Sequence, residues 1–108
     1  MEYAKLLDDL EQTKTFEIEG MKFKIRKLSW YEDTKLKSEC MEIDPKAKKV
    51  NLNEAQYQLN LIKTSLIESP IPKERFEELL PTLKPKVARA LIKEIQDFGE
   101  VDGEYLKK

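Results

Sequence analysis

The chain contains no histidine and only one cysteine, Cys40. These absences remove a Ser-His-Asp triad and any zinc site built from ordinary ligands. A lone cysteine closes no intrachain disulfide, so nothing in the sequence asks for an oxidising compartment. The three glycines stand far apart, at 20, 99 and 103, which excludes a phosphate-cradling loop. No apolar run approaches the roughly 20 residues that span a bilayer. The first ten residues carry Glu2, Asp8 and Asp9 and lack the basic-then-apolar order of a signal peptide. An excess of one charge is missing too. Twenty basic side chains face 21 acidic ones, for a net charge of −1, so no global field draws nucleic acid or an anionic membrane. The chain therefore reads as cytoplasmic, free of cofactor and metal, and not an enzyme.

What remains is enough for one domain. With 108 residues the chain can build a single core but not two. Hydrophobic residues make up 40% and charged residues 38%, which predicts a compact core under a densely charged surface.

Residues 3–12 carry Tyr3, Leu6, Leu7 and Leu10 at helical spacing, predicting a short amphipathic helix that must dock or fray. Over residues 15–26 the period changes from 3.6 to 2. Thr15-Phe16-Glu17-Ile18-Glu19 and Lys22-Phe23-Lys24-Ile25-Arg26 each alternate apolar and charged residues, as half-buried strands do. A Gly20-Met21 turn of type II′ sets Phe16 opposite Ile25 and Ile18 opposite Phe23, with Glu17 facing Lys24 and Glu19 facing Lys22. Taking Glu19-Gly20 as the turn also sorts the faces, but places Lys14 opposite Ile25. The first register is preferred. Either way, an isolated hairpin is marginal in water, so its apolar face must lie on helices.

Ser29-Trp30-Tyr31-Glu32 fits a capping box, and Asp33 adds a second acid to the first turn. That helix is expected to run to about Ile43, where Asp44-Pro45 stops it, with Cys40 as a small packed hydrophobe inside it. Residues 44–51 read as a basic linker whose Lys46, Lys48 and Lys49 are a solvated loop tip rather than a phosphate patch. Leu52, Ala55, Leu59, Ile62 and Leu66 then mark a central helix, widened by Tyr57, Leu61 and Ile67, with Asn51 or Asn53 as N-cap. Ser69-Pro70-Ile71-Pro72 ends it. A short helix spans 72–80 and a final one spans 85–98, with Gly99 as its C′ residue. The expected fold is α+β, mainly α: a hairpin packed on a bundle of four to five helices. Its parts are an N-terminal helix at 1–13, the hairpin at 14–27, the bundle at 29–98 and a flexible tail at 99–108.

The candidate sites are few. Carboxylate pairs such as Asp8/Asp9 and Glu77/Glu78 lie on polar faces and read as solvated helix surface. Lys22, Lys24 and Arg26 share one strand face, and with Lys27 they form the strongest basic cluster. A nucleic-acid-binding regulator using these four is the alternative reading, disfavoured because Glu17 and Glu19 neutralise the strand. Trp30 and Tyr31 sit side by side at the helix start, about 100° apart around the axis. Trp30 is expected in the core, while an exposed aromatic there would suit a protein-binding hot spot. Trp30, Tyr31, Tyr57 and Leu61 are the candidate protein-binding residues.

The stretch Phe16 to Glu32 resembles the opening of tail assembly chaperones from long-tailed phages and prophages. In that family a short hairpin ends in an Arg-x-Leu-Ser/Thr-x-x-Glu-like junction, matched by Arg26, Leu28, Ser29 and Glu32. A helical remainder with a Pro-containing break follows, similar to residues 65–95. The resemblance implies a non-catalytic accessory protein of the host-cell cytoplasm. It also implies binding of the tape-measure protein and the tail-tube protein during assembly, and self-association as a homo-oligomer. A longer frameshifted form, with slippage near Lys107-Lys108, is a further implication. A minor structural subunit of tail or capsid is a third reading.

Overall fold

The computed structural model describes residues 2–100. Two strands, β1 (Thr13–Ile18) and β2 (Met21–Arg26), form the expected hairpin ahead of the helices. The turn, however, is Glu19-Gly20, with φ of 54° and 77°. Positive φ at both central residues defines a type I′ turn, whose twist matches that of the strands. Every pair therefore shifts from the preferred register. Phe16 faces Phe23, Glu17 faces Lys22, and Lys14 does stand opposite Ile25. The Phe16 and Phe23 rings stack with centroids 6.0 Å apart. Lys14 escapes the apolar face by pairing with Glu94 of the last helix at 2.7 Å. Glu19 reaches Lys86 at 3.1 Å instead of Lys22.

A third strand, β5 (Leu66–Glu68), pairs antiparallel with β2 and makes β2 the centre of a three-stranded sheet. Its residues were expected to belong to the central helix. Pro70 disfavours helical backbone only at Ser69, and the strand itself pairs into the sheet, with Leu66 opposite Ile25 and Glu68 opposite Lys24.

Helix α1 (Trp30–Glu39) starts on the predicted capping box. The Glu32 N–H donates to the Ser29 hydroxyl at 3.0 Å, and the Ser29 N–H donates to the Glu32 carboxylate at 3.2 Å. The helix stops at Glu39, four residues early, with buried Cys40 as its C-cap. Residues expected as helix end and basic linker form a second hairpin, β3 (Met41–Asp44) and β4 (Lys49–Leu52). Met41-Glu42-Ile43-Asp44 and Lys49-Val50-Asn51-Leu52 do alternate with period 2, over runs too short to stand out against a helical pattern.

Helix α2 (Glu54–Ser65) is capped by Asn53, whose side chain accepts from the Gln56 N–H at 3.1 Å. It buries Tyr57, Leu61, Ile62 and Ser65, so Tyr57 and Leu61, expected only to widen the stripe, join Ile62 of that stripe on its core-facing side. The short helix is broken into 3-10 turns at Lys73–Arg75 and Leu80–Thr82 around α3 (Phe76–Leu79). Helix α4 (Pro85–Glu100) begins on its proline and continues through Gly99, which is no C′ residue. The rest of the expected tail, 101–108, lies outside the described residues.

The core joins Phe23 and Ile25 of β2 to Leu61 and Ile62 of α2, Phe76 and Leu80, and Val87, Leu91 and Ile95 of α4. Ile25 and Leu91 are fully buried at its centre. At the N-terminus only a 3-10 turn, Glu2–Leu6, replaces the expected amphipathic helix, and Tyr3, Leu6, Leu7 and Leu10 are exposed. No helix among the described residues is long and apolar enough to cross a membrane.

Candidate protein-binding groove

The sheet hands the chain to α1 through Arg26-Lys27-Leu28-Ser29, and this junction builds one wall of a groove. Arg26 Nη1 and Nη2 donate to the two Glu32 carboxylate oxygens at 3.2 and 2.8 Å. Its Nε donates to the Thr64 carbonyl at 3.2 Å, which ties the start of α1 to the end of α2. The paired hydrogen bonds hold the Glu32 carboxyl below its ordinary range and raise the Arg26 guanidinium. Glu32 thus serves as both helix cap and guanidinium partner.

Lys27 does not contribute to a surface patch. It keeps 4% of its surface and pairs with Asp8 of the N-terminal segment at 2.7 Å, while its N–H donates to the Gln12 carbonyl. Lys22 faces Glu17, Lys24 stands between Thr15 and Glu68, and Arg26 is taken by Glu32. The basic cluster is divided among acidic neighbours. That arrangement gives no row of cations to track a phosphate backbone.

Beside the junction lies a groove of about 310 Å³, whose lining includes Leu28, Trp30, Asp33, Tyr57, Leu61 and Ile95. Three of the four candidate residues meet here. Leu61 and Tyr57 are buried and form the floor. The Tyr57 hydroxyl donates to the Asp33 carboxylate, which also pairs with Lys37 at 3.1 Å. Lys37 Nζ stands 5.6 Å from the centre of the Tyr57 ring, a cation–π distance. Burial first, and then the bond to Asp33, push the Tyr57 phenol far above its ordinary value.

Trp30 is not in the core. It is 77% exposed at the rim, and Tyr31, 61% exposed, meets it edge-on with ring centroids 5.9 Å apart. The capping box fixes why: Trp30 is the first helical residue, one step outside the turn that packs on α2. Tyr31 supports Trp30 and does not line the groove.

The opposite face of α2 carries a second groove that sequence reasoning missed. Leu59, Ile62, Leu80, Leu83, Ala88 and Ile92 line it with Gln56 and Gln58, and no charged residue does. The heptad-like spacing of α2 was its signal in the sequence. Among the described residues no three His, Cys, Asp or Glu side chains gather to hold a metal ion.

A family model described as phage XkdN-like tail assembly chaperone protein matches residues 4–107. No curated protein and no solved structure matches the chain.

Proposed function

The chain belongs to the phage XkdN-like tail assembly chaperone family, and we propose that it acts as a non-catalytic chaperone that binds tape-measure and tail-tube proteins while a tail is assembled. The observation that carries this reading is the exposed Trp30–Tyr31 pair over a groove floored by Tyr57 and Leu61. A large aromatic left at a rim, beside an apolar floor, is the anchor pattern of protein-binding hot spots. Its expected partner is an apolar helical segment laid between α1, α2 and α4. Work in the host cytoplasm follows from the same role.

Co-expression tests it. The chain should co-purify with the tape-measure or tube protein encoded beside it, and retention of neither would refute the proposal. Presence of the chain in finished, purified tails would favour a structural subunit instead. Salt-sensitive binding of DNA or RNA would favour the nucleic-acid reading, which the divided basic cluster argues against.

A further inference from the structure

The N-terminal arm carries an apolar stripe that the rest of the chain leaves uncovered. Tyr3, Leu6, Leu7 and Leu10 are all exposed, Leu6 at 86% and Leu7 at 67%. On a helix the four would fall within about 100° of one another. Yet the arm forms only the 3-10 turn Glu2–Leu6, extended by a bond from the Leu7 N–H to the Ala4 carbonyl at 3.2 Å. A helix this short does not hold itself in water. Completing it takes a surface that buries the stripe.

The arm is nevertheless anchored, and anchored beside the groove. Asp8 pairs with buried Lys27 at 2.7 Å, and the Gln12 carbonyl accepts from the Lys27 N–H at 3.3 Å. Asp8 also lines the groove under Trp30, so arm and groove form one continuous surface. On the helical projection Asp8 lies about 150° from the centre of the stripe. Lys27 therefore holds the arm by its back and leaves the leucines outward. The arm's charges select what covers them. Glu11 falls about 40° beyond Leu7 and Asp9 about 60° beyond Leu6, while Lys5 projects about 150° from the stripe's centre. An acid thus flanks each edge, and the covering surface must be apolar with Lys or Arg on both sides. An anionic membrane fails that condition. So does the arm of a second copy, which sets acid against acid.

We infer that the arm is the second half of the client-binding surface, folding into a helix over residues 3–10 on a basic-edged amphipathic helix of the protein that occupies the Trp30 groove. This rests on the reading of that groove as the client site, and it names the chemistry of the client segment. Part of the contact energy goes into ordering the arm, so the client is released more readily than from a rigid surface of the same area.

Hydrogen exchange of the full chain, alone and with the purified tape-measure or tube protein, tests it. The amides of residues 4–10 should exchange rapidly in the free chain and slow by about tenfold or more in the complex. The client segment protected with them should carry Lys or Arg on both sides of an apolar stripe. Leu6→Gln with Leu7→Gln keeps helix propensity and alters only exposed side chains. It should leave the thermal midpoint unchanged, weaken client binding about tenfold and abolish protection of the arm while the groove stays protected. Glu11→Lys should weaken binding about threefold, a difference that closes with added salt. Client binding with the arm unprotected, or undiminished in the glutamine variant or in Glu11→Lys, overturns the inference and leaves the groove reading standing. Binding of neither tail protein overturns the groove reading and the arm with it. Protection of the arm on concentrating the chain alone assigns the stripe to a second copy and also overturns the inference.

Discussion

Arg26 holds the Glu32 carboxylate through two N–H···O bonds of 2.8 and 3.2 Å, while one oxygen of that carboxylate also accepts from the Ser29 N–H. One side chain thus closes the helix cap, orients α1 against the sheet, and, through Arg26, reaches Thr64 at the end of α2. The groove beside Trp30 has its shape because these three elements are fixed to one another there.

Arg26→Lys keeps the charge and loses the fork. Because the pair is about one-third exposed, the expected cost is about 1–2 kcal/mol, below that of a fully buried charged hydrogen bond. Chemical denaturation compares the two chains, and an unchanged midpoint would show that the junction is held elsewhere.

The same pair predicts an acid limb of stability. The folded chain holds the Glu32 carboxyl below its unfolded value. Its contribution is therefore complete above the ordinary carboxylate range and is lost as pH falls through the lower, folded value. Glu32→Gln should flatten that limb in a series of thermal melts from neutral to acid pH.

Tyr57 predicts an alkaline limb of the opposite sign. Its phenol is raised in the folded state by burial and by Asp33. The stabilising contribution is complete below the unfolded phenol value near 10 and declines as pH rises from there toward the folded value. Absorbance titration should show a phenolate that appears late, and Tyr57→Phe should remove that late component. Retention of it in the variant would place the raised phenol elsewhere.

The first hairpin predicts a gain. Glu19 sits at φ 54° ahead of Gly20, and asparagine tolerates that region better than glutamate. Glu19→Asn loses the pair with Lys86, but Lys86 is largely exposed and such pairs contribute little. A net stabilisation of about 0.5 kcal/mol is expected, seen as a rise of a few degrees in thermal midpoint. A fall would mean that the exposed ion pair outweighs the backbone strain.

Much of this was legible from residue pattern, and what was not has physical causes. The capping box at Ser29–Glu32 reads directly because both halves are polar groups at a fixed spacing. The alternation of Phe16-Glu17-Ile18 and Phe23-Lys24-Ile25 identifies strands, but two turns sort the faces equally well. Backbone twist at Glu19-Gly20 decided between them, at the expense of setting Lys14 on the apolar side. Glu94, 80 residues away, accommodates that lysine, and no local pattern announces it. The strands β3 and β5 were hidden because three or four alternating residues carry less signal than a neighbouring helix. Trp30 was expected in the core on hydrophobicity alone. Its position ahead of the first packed turn of α1 put it at the rim, where Tyr57 and Leu61 supply the floor that residue pattern could name but not assemble.

The most direct test is binding measured with and without the Trp30 indole. Trp30 is so exposed that Trp30→Ala should change folding stability by no more than about 0.5 kcal/mol. The account predicts saturable binding of the wild-type chain to the tape-measure or tube protein, weakened at least tenfold in Trp30→Ala, with the thermal midpoint unchanged. Equal binding by both chains, or binding by neither, would contradict it.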